Sequence, residues 1–332
     1  MVYVSVPKEI YLDLYAEIKK SGQNFIDSQL VSKTSSIDFD KLIICGMGGS
    51  GISADYIYII AQQYSSKQIY VNKDYEIPSF VNDEWHSIVI SYSGNTEETL
   101  SSMKQLISMG LKPICISSGG KMKEFAKTHS LKFIAVPEGI APRVAFPYLF
   151  GSLFGLVHQS LMIPAISSTQ LTQISNSSKS MNLDDLDKIS NRIVTKFPII
   201  ISASSFSNVG LRFRCQLNEN SKVHSAFFIS PEFSHNGIVG FDSKSSDEIL
   251  LFLLRSPIEN TRTTIHIDFL RNNIDKVGDV IEMSSIYDDL LVSQLDLTWQ
   301  LDYISVKIAE LTNIDPLIVP SIVDLKEILK NS

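Results

Sequence analysis

Two short segments of this chain have the composition of an anion-binding site. The first is Gly46-Met47-Gly48-Gly49-Ser50-Gly51, directly after the apolar run Lys41 to Cys45 and directly before a helical stretch. Glycines in such a turn, Gly48 and Gly49 among them, permit positive φ and close backbone approach, so helix N-terminal N–H groups and the Ser50 hydroxyl can face an anion. The second is Ser91-Tyr92-Ser93-Gly94-Asn95-Thr96-Glu97-Glu98-Thr99, again set between a β-rich run and a helix. The hydroxyls of Ser91, Ser93 and Thr96, with the free amides of a helix start, suit one phosphate and need no lysine or arginine. Taken singly, the first segment also reads as a tight strand-to-helix turn and the second as ordinary Ser/Thr capping with Glu in the first turn. A nucleotide site fits less well, because G-x-G-G-x-G departs from G-x-G-x-x-G and no Gly-Lys-Ser/Thr is present.

Both loops need a sheet edge to hold them, and the pattern of the chain predicts one. Lys41 to Cys45, Gln68 to Asn72, Ser87 to Ile90, Pro113 to Ser117 and Lys132 to Val136 read as short strands, with helical stretches such as Glu97 to Met109 and Lys121 to His129 between them. Such alternation argues a doubly wound parallel α/β sheet, which binds ligands at the carboxyl ends of its strands. Pro147 to His158 is mostly apolar, and Ser167 to Ser180 is rich in Ser, Thr and Asn like a connection. The alternation then restarts: strand Phe197 to Ser202, helix Asn208 to Asn220, strands Val223 to Ile229 and Glu248 to Leu254, helix Arg262 to Asn272, strand Val280 to Met283, and final helices Tyr287 to Leu311 and Ile322 to Lys330. The repeated order of elements suggests duplication of one α/β unit.

The 332 residues suffice for about two domains. With 44% hydrophobic and 20% charged residues the composition is that of a folded globular protein. A formal charge of −7 offers no basic field for nucleic acid or an anionic membrane, so an anionic ligand must be held by local geometry. Cys45, Cys115 and Cys215 are odd in number and widely spaced, which reads as reduced thiols rather than disulfides or zinc ligands. Met1 to Glu9 lacks a basic start followed by an apolar run, and the expected location is the cytoplasm. The histidines show no metal-ligand spacing, and Asp184-Asp185 with Asp187 reads as a solvated helix start.

Together the two loops resemble those of the sugar-isomerase (SIS) domain, a flavodoxin-like phosphosugar-binding module. Pro142-Arg143-Val144-Ala145-Phe146-Pro147-Tyr148 narrows this, being similar to the P-R-V-A-x-P-Y motif of archaeal bifunctional phosphoglucose/phosphomannose isomerases. The similarity continues in Gln216-Leu217-Asn218-Glu219-Asn220-Ser221-Lys222, in Pro231-Glu232-Phe233-Ser234-His235-Asn236 and in the tail from Asp315-Pro316 to Leu325-Lys326. It implies two SIS-type subdomains, each a parallel sheet flanked by helices: residues 1–155 with the phosphosugar loops, 156–190 a connecting helical or linker segment, and 191–332 with the catalytic Glu, His and tail Lys.

The resemblance also implies chemistry: interconversion of glucose 6-phosphate, and mannose 6-phosphate, with fructose 6-phosphate through a cis-enediol, with no metal and no cofactor. Moving a carbonyl between C1 and C2 needs a base for a weakly acidic C–H, the family role that falls on Glu219. The enediolate oxygens need a fixed positive charge as they develop, and Arg143 matches. Ring opening needs a group that both gives and takes a proton near neutrality, as an imidazole of pKa ~6.5 does, and the matching residue is His235. Lys326 matches a tail lysine that reaches the ring and C1 oxygens. A threonine that the family places seven residues before this lysine is Val319 here, which implies slower epimerisation at C2. The family forms homodimers in which the histidine enters the neighbour's site. A non-catalytic phosphosugar sensor would keep the loops and lose the catalytic set, all four of which are present.

Overall fold

A computed structural model describes residues 6–242, 246–256, 258–273 and 277–331; Met1 to Ser5, where part of the reading of the amino terminus falls, lie outside them. In chain order the elements are α1 (Lys8–Lys33), β1 (Lys41–Gly46), α2 (Gly48–Tyr64), β2 (Gln68–Asn72), β3 (Trp85–Ile90), α3 (Glu97–Ser108), β4 (Ile114–Ser117), α4 (Gly120–Thr128), β5 (Phe133–Ala135), α5 (Phe146–Val157), α6 (Ser168–Lys179) and α7 (Leu183–Ile193). There follow β6 (Phe197–Ala203), α8 (Ser207–Gln216), β7 (Ala226–Ser230), β8 (Ser246–Arg255), α9 (Thr261–Asn273), β9 (Val277–Ser284), α10 (Leu290–Leu311) and α11 (Pro320–Asn331).

Two parallel sheets result, of order β2-β1-β3-β4-β5 and β7-β6-β8-β9. In each, the chain starts at an inner strand, adds one neighbour, then crosses back, so the order reverses beside β1 and beside β6. Loops after β1 and β3 therefore diverge at the carboxyl edge and leave a crevice, the usual ligand position of an open α/β sheet. Strand residues such as Leu42, Ile43 and Ile44 of β1 and Leu250 to Leu254 of β8 are fully buried, as expected of strands covered on both faces.

The chain forms two compact units that are discontinuous in sequence: Lys20–Ser180 with Tyr287–Asp296, and Met1–Lys19 with Met181–Ile286 and Leu297–Ser332. In the first unit alternate strand residues Ile43, Cys45, Val89 and Cys115 pack with Met103 and Leu106 of α3 and Met122 and Ala126 of α4. Here α2 and α5 meet through Tyr56, whose ring centroid lies 4.8 Å from that of Phe146 and 5.2 Å from that of Phe150. Burying side chains of this size stabilises by about 1.5–3 kcal/mol each. The core of the other unit gathers Ile201, Leu251 and Leu253 with Ile267 and Leu270 of α9.

Two elements differ from the sequence expectation. Lys8 to Lys33 form the long helix α1, which the sequence expectation did not contain. The connection-like Ser167 to Ser180 is helix α6, started by a capping box in which Ser167 Oγ accepts from Gln170 N at 3.2 Å and Gln170 Oε1 accepts from Ser167 N at 2.8 Å. The S-x-x-Q spacing was the available signal.

Burial holds the thiols of Cys45 and Cys115 up at about 12, so neither is a nucleophile at neutral pH. Burial acts oppositely on His158, which stacks on Phe154 at 5.3 Å and has its pKa pushed below the usual imidazole range. The unfolded chain then binds a proton that the folded chain refuses. The contribution is complete above the unfolded value of ~6.5 and is lost progressively as pH falls from there through the lower folded value. The midpoint of thermal unfolding should fall more steeply between about pH 7 and about pH 5 in the parent than in His158→Leu. Equal slopes in the two melting series would remove His158 from the acid sensitivity.

Candidate active site

At the carboxyl edge of the first sheet the chain turns from β1 into α2 through Met47, with Ser50 N donating to Met47 O at 3.0 Å. No side chain caps α2. Beyond β3 the turn Ser91–Gly94 closes with Gly94 N donating to Ser91 O at 3.1 Å, and α3 starts after Thr96, again with no side chain capping it. Gly94 has φ +66°, and a Cβ there would stand 1.9 Å from Gly119 O, so a side chain at this position would break the loop. The loops are joined directly, because Tyr92 N donates to Ser50 Oγ at 3.1 Å.

The hydroxyl bonding separates the roles of the four residues. Ser50 Oγ accepts from Tyr92 N, and Ser93 Oγ accepts from Asn95 N at 3.2 Å, so each keeps its own O–H to donate outward. Ser91 is fully buried; its Oγ accepts from Gly94 N at 3.1 Å and lies 2.9 Å from Thr96 Oγ1. When Ser91 donates to Thr96, the Thr96 hydrogen is left to point out of the loop. Ser50 and Ser93 thus keep a donor hydrogen, and Thr96 keeps one when Ser91 donates to it, beside two helix starts without side-chain caps, whose partial positive charge favours an anion. Ser91 stands behind them and orients Thr96. Ordinary capping by Thr96, the alternative open at the sequence level, is absent.

Arg143 lies in a 3-10 turn, Pro142–Val144, that enters α5. A Cβ at Gly49 would be 3.8 Å from Pro142 O, so this turn runs alongside the glycine loop. Its approach is set by Tyr92, a residue inside the second motif to which sequence reasoning gave no role. The phenol of Tyr92 donates to Pro137 O at 3.1 Å and accepts from Ile140 N at 2.8 Å, holding the segment that leads to Arg143. Gly48, Gly49, Ser50, Ser91, Ser93, Thr96 and Arg143 are therefore brought together at one sheet edge.

In the other unit Glu219 is half-buried on a π turn, Leu217–Ser221, that continues α8. A single π turn is uncommon and is found disproportionately at functional sites; this one ends its helix. His235 ends the 3-10 turn Glu232–His235 after β7 and is exposed, while Phe233 beneath it is buried against Phe228 at 5.1 Å. Lys326 is exposed on α11.

The second sheet's carboxyl edge contrasts with the first. After β8, Glu259 N donates to Ser256 O at 3.2 Å, as Gly94 N donates to Ser91 O. Where the first loop has Gly94, this one has Glu259, whose carboxylate accepts from Ser256 N at 2.7 Å and pairs with Arg255 at 3.1 Å. The adjacent cleft of about 340 Å³ has its Arg255 and Arg271 already paired to Asp268 and Glu282. Among the described residues no three His, Cys, Asp or Glu side chains cluster as a metal site.

Comparison with known proteins places these features in context. The family model for the bacterial phospho-glucose isomerase C-terminal SIS domain matches residues 184–329. A bifunctional phosphoglucose/phosphomannose isomerase of Aquifex aeolicus is 32% identical over 88% of this chain and 91% of its own. One of Caldicellulosiruptor bescii is 32% identical over 97% of each. The crystal structure of a hypothetical protein from Thermus thermophilus superposes with a TM-score of 0.73 at 13% identity, covering 98% of this chain and 93% of that one, and shares the fold.

Proposed function

The chain belongs to the bifunctional phosphoglucose/phosphomannose isomerase family, and on that premise we propose that it interconverts glucose 6-phosphate, and mannose 6-phosphate, with fructose 6-phosphate through a cis-enediol. The observation that carries this reading is the pair of bonded, side-chain-uncapped loops that bring Ser50, Ser93 and Thr96 to one sheet edge, with the Ser50 and Ser93 hydroxyls accepting within the loops and keeping a hydrogen to donate. They hold the phosphate without a cation, and the glycine loop leaves room for the sugar. Glu219 takes the C–H proton and returns it to the neighbouring carbon. Arg143 stabilises the negative charge that grows on the enediolate oxygens, His235 moves the proton that opens the ring, and Lys326 holds the ring and C1 oxygens. A cytoplasmic location accords with three free thiols.

A coupled assay with each hexose phosphate tests the reading. Fructose 6-phosphate should form from both substrates with no added metal, and more slowly from mannose 6-phosphate because Val319 stands where relatives use a threonine hydroxyl. Binding of either sugar phosphate without turnover would instead make the chain a sensor.

The working unit in this reading is a homodimer in which His235 serves the partner's site. Its exposure on a polar turn is consistent with that reach. Mixing inactive Glu219→Gln chains with inactive His235→Ala chains gives mixed dimers in which one site carries both lesions and the other neither. Activity should recover to about a quarter of the parent value, since about half the dimers are mixed and half their sites intact. Subunit exchange with no recovered activity would return His235 to its own chain.

A further inference from the structure

We infer that Asn220, Ser305 and Lys222 are positioning residues for the carboxylate of Glu219, an inference that rests on the assignment of Glu219 as the base. A π turn has one residue more per hydrogen-bonded ring than an α turn, so the backbone ladder alone holds it less firmly. The turn Leu217–Ser221 is instead fastened by side chains to α10. Asn220 Nδ2 donates to Ser305 Oγ at 2.9 Å, and Ser221 Oγ donates to the Ser305 carbonyl at 2.6 Å. Ser305 is fully buried, Asn220 2% exposed, and Ser305 Oγ in turn donates to Asp302 O at 2.7 Å.

One turn back, the same stripe continues as a buried ion pair. Arg212 grips Asp302 with both ends of its guanidinium, Nε to Oδ1 at 3.0 Å and the terminal nitrogen to Oδ2 at 2.7 Å, and Gln216 Nε2 donates to Asp302 Oδ1 at 3.0 Å. Arg212, Gln216 and Asn220 recur every four residues and face Asp302 and Ser305, three apart on α10, so the ladder fixes rotation and axial register together. From the solvent side Lys222, in the left-handed region at φ 56°, donates from Nζ to the carbonyl of Glu219 at 2.7 Å and to Asp315 O at 3.1 Å. Glu219 is thus clamped through its own carbonyl and through the next residue's side chain, which sets where its carboxylate starts.

Proton abstraction tolerates little displacement of the base, an error of about 1 Å costing up to ~10²-fold. Asn220→Ala and Ser305→Ala should each lower kcat by about 10–100-fold while KM for glucose 6-phosphate stays within about two-fold. In a Glu219→Gln background neither change should lower kcat further, because there is no base left to misplace; a general structural role would give the same loss in both backgrounds. Lys222→Met, on an exposed side chain, carries the same test if the buried variants do not fold, as judged by their thermal transitions. Parent-like kcat in the folded variants, with Glu219→Gln inactive, overturns the positioning role. An active Glu219→Gln overturns the base assignment itself.

Discussion

Replacing Glu219 by Gln should lower kcat by ~10²-fold or more while leaving the affinity for the phosphosugar close to that of the parent. The amide keeps the shape and most of the hydrogen bonding of the carboxylate, so the π turn and its links to α10 survive. What disappears is the basic oxygen. In the proposed reading the substrate's phosphate contributes binding energy to ground and transition states alike, so KM should change little. Steady-state kinetics with glucose 6-phosphate gives both constants from one series. Turnover within a few-fold of the parent would show that some other group takes the proton, and a raised KM at unchanged kcat would show that Glu219 binds rather than reacts.

The two sheet-edge loops were legible because glycine and hydroxyl residues leave a local signature. Gly94 cannot be replaced without meeting Gly119 O, and the requirement shows within the run Ser91 to Thr99. Strands β1, β3, β6 and β8 were legible for a similar reason, since strands buried on both faces are continuous apolar runs. Residues that act through distant partners were not. Tyr92 sits inside a motif, yet its role lies in contacts to Pro137 and Ile140, more than forty residues away. Ser305 is one serine among many in the sequence, and its link to Asn220 spans 85 positions.

The helices missed or misread have a shared cause. Tyr11, Leu14, Ile18 and Phe25 of α1 are buried at helical spacing, but Gly22 interrupts the pattern, and glycine inside a helix counts against a helix assignment. Tertiary packing requires it: a Cβ on Gly22 would lie 2.1 Å from Ile174 O, and Gly22 N donates to Ser178 Oγ at 3.2 Å. The serines that made α6 look like a connection are the small residues that let this backbone come so close to α1. Composition typical of a linker and composition typical of tight helix packing coincide here, and local propensity cannot separate them.

Replacing Ser93 and Thr96 together by Ala should abolish competition by inorganic phosphate at concentrations that inhibit the parent. Each hydroxyl accepts or shares a hydrogen bond within its loop and keeps a donor for the ligand, and a neutral donor to a dianion is worth about 1.5–3 kcal/mol. Loss of both weakens phosphate by roughly 10²-fold at the lower bound, if the two contributions add. The backbone N–H groups of the helix start remain, so residual binding should become more sensitive to salt, its remaining source being the charge–dipole interaction. The loops themselves should keep their shape, because Gly94 still bonds to Ser91 and Tyr92 still bonds to Ser50. Inhibition constants for phosphate, measured on parent and variant at two ionic strengths, decide the matter. Equal inhibition of the two proteins would move the phosphate away from this edge of the sheet, and a variant that loses Ser50-dependent binding as well would point to collapse of the loop rather than loss of donors.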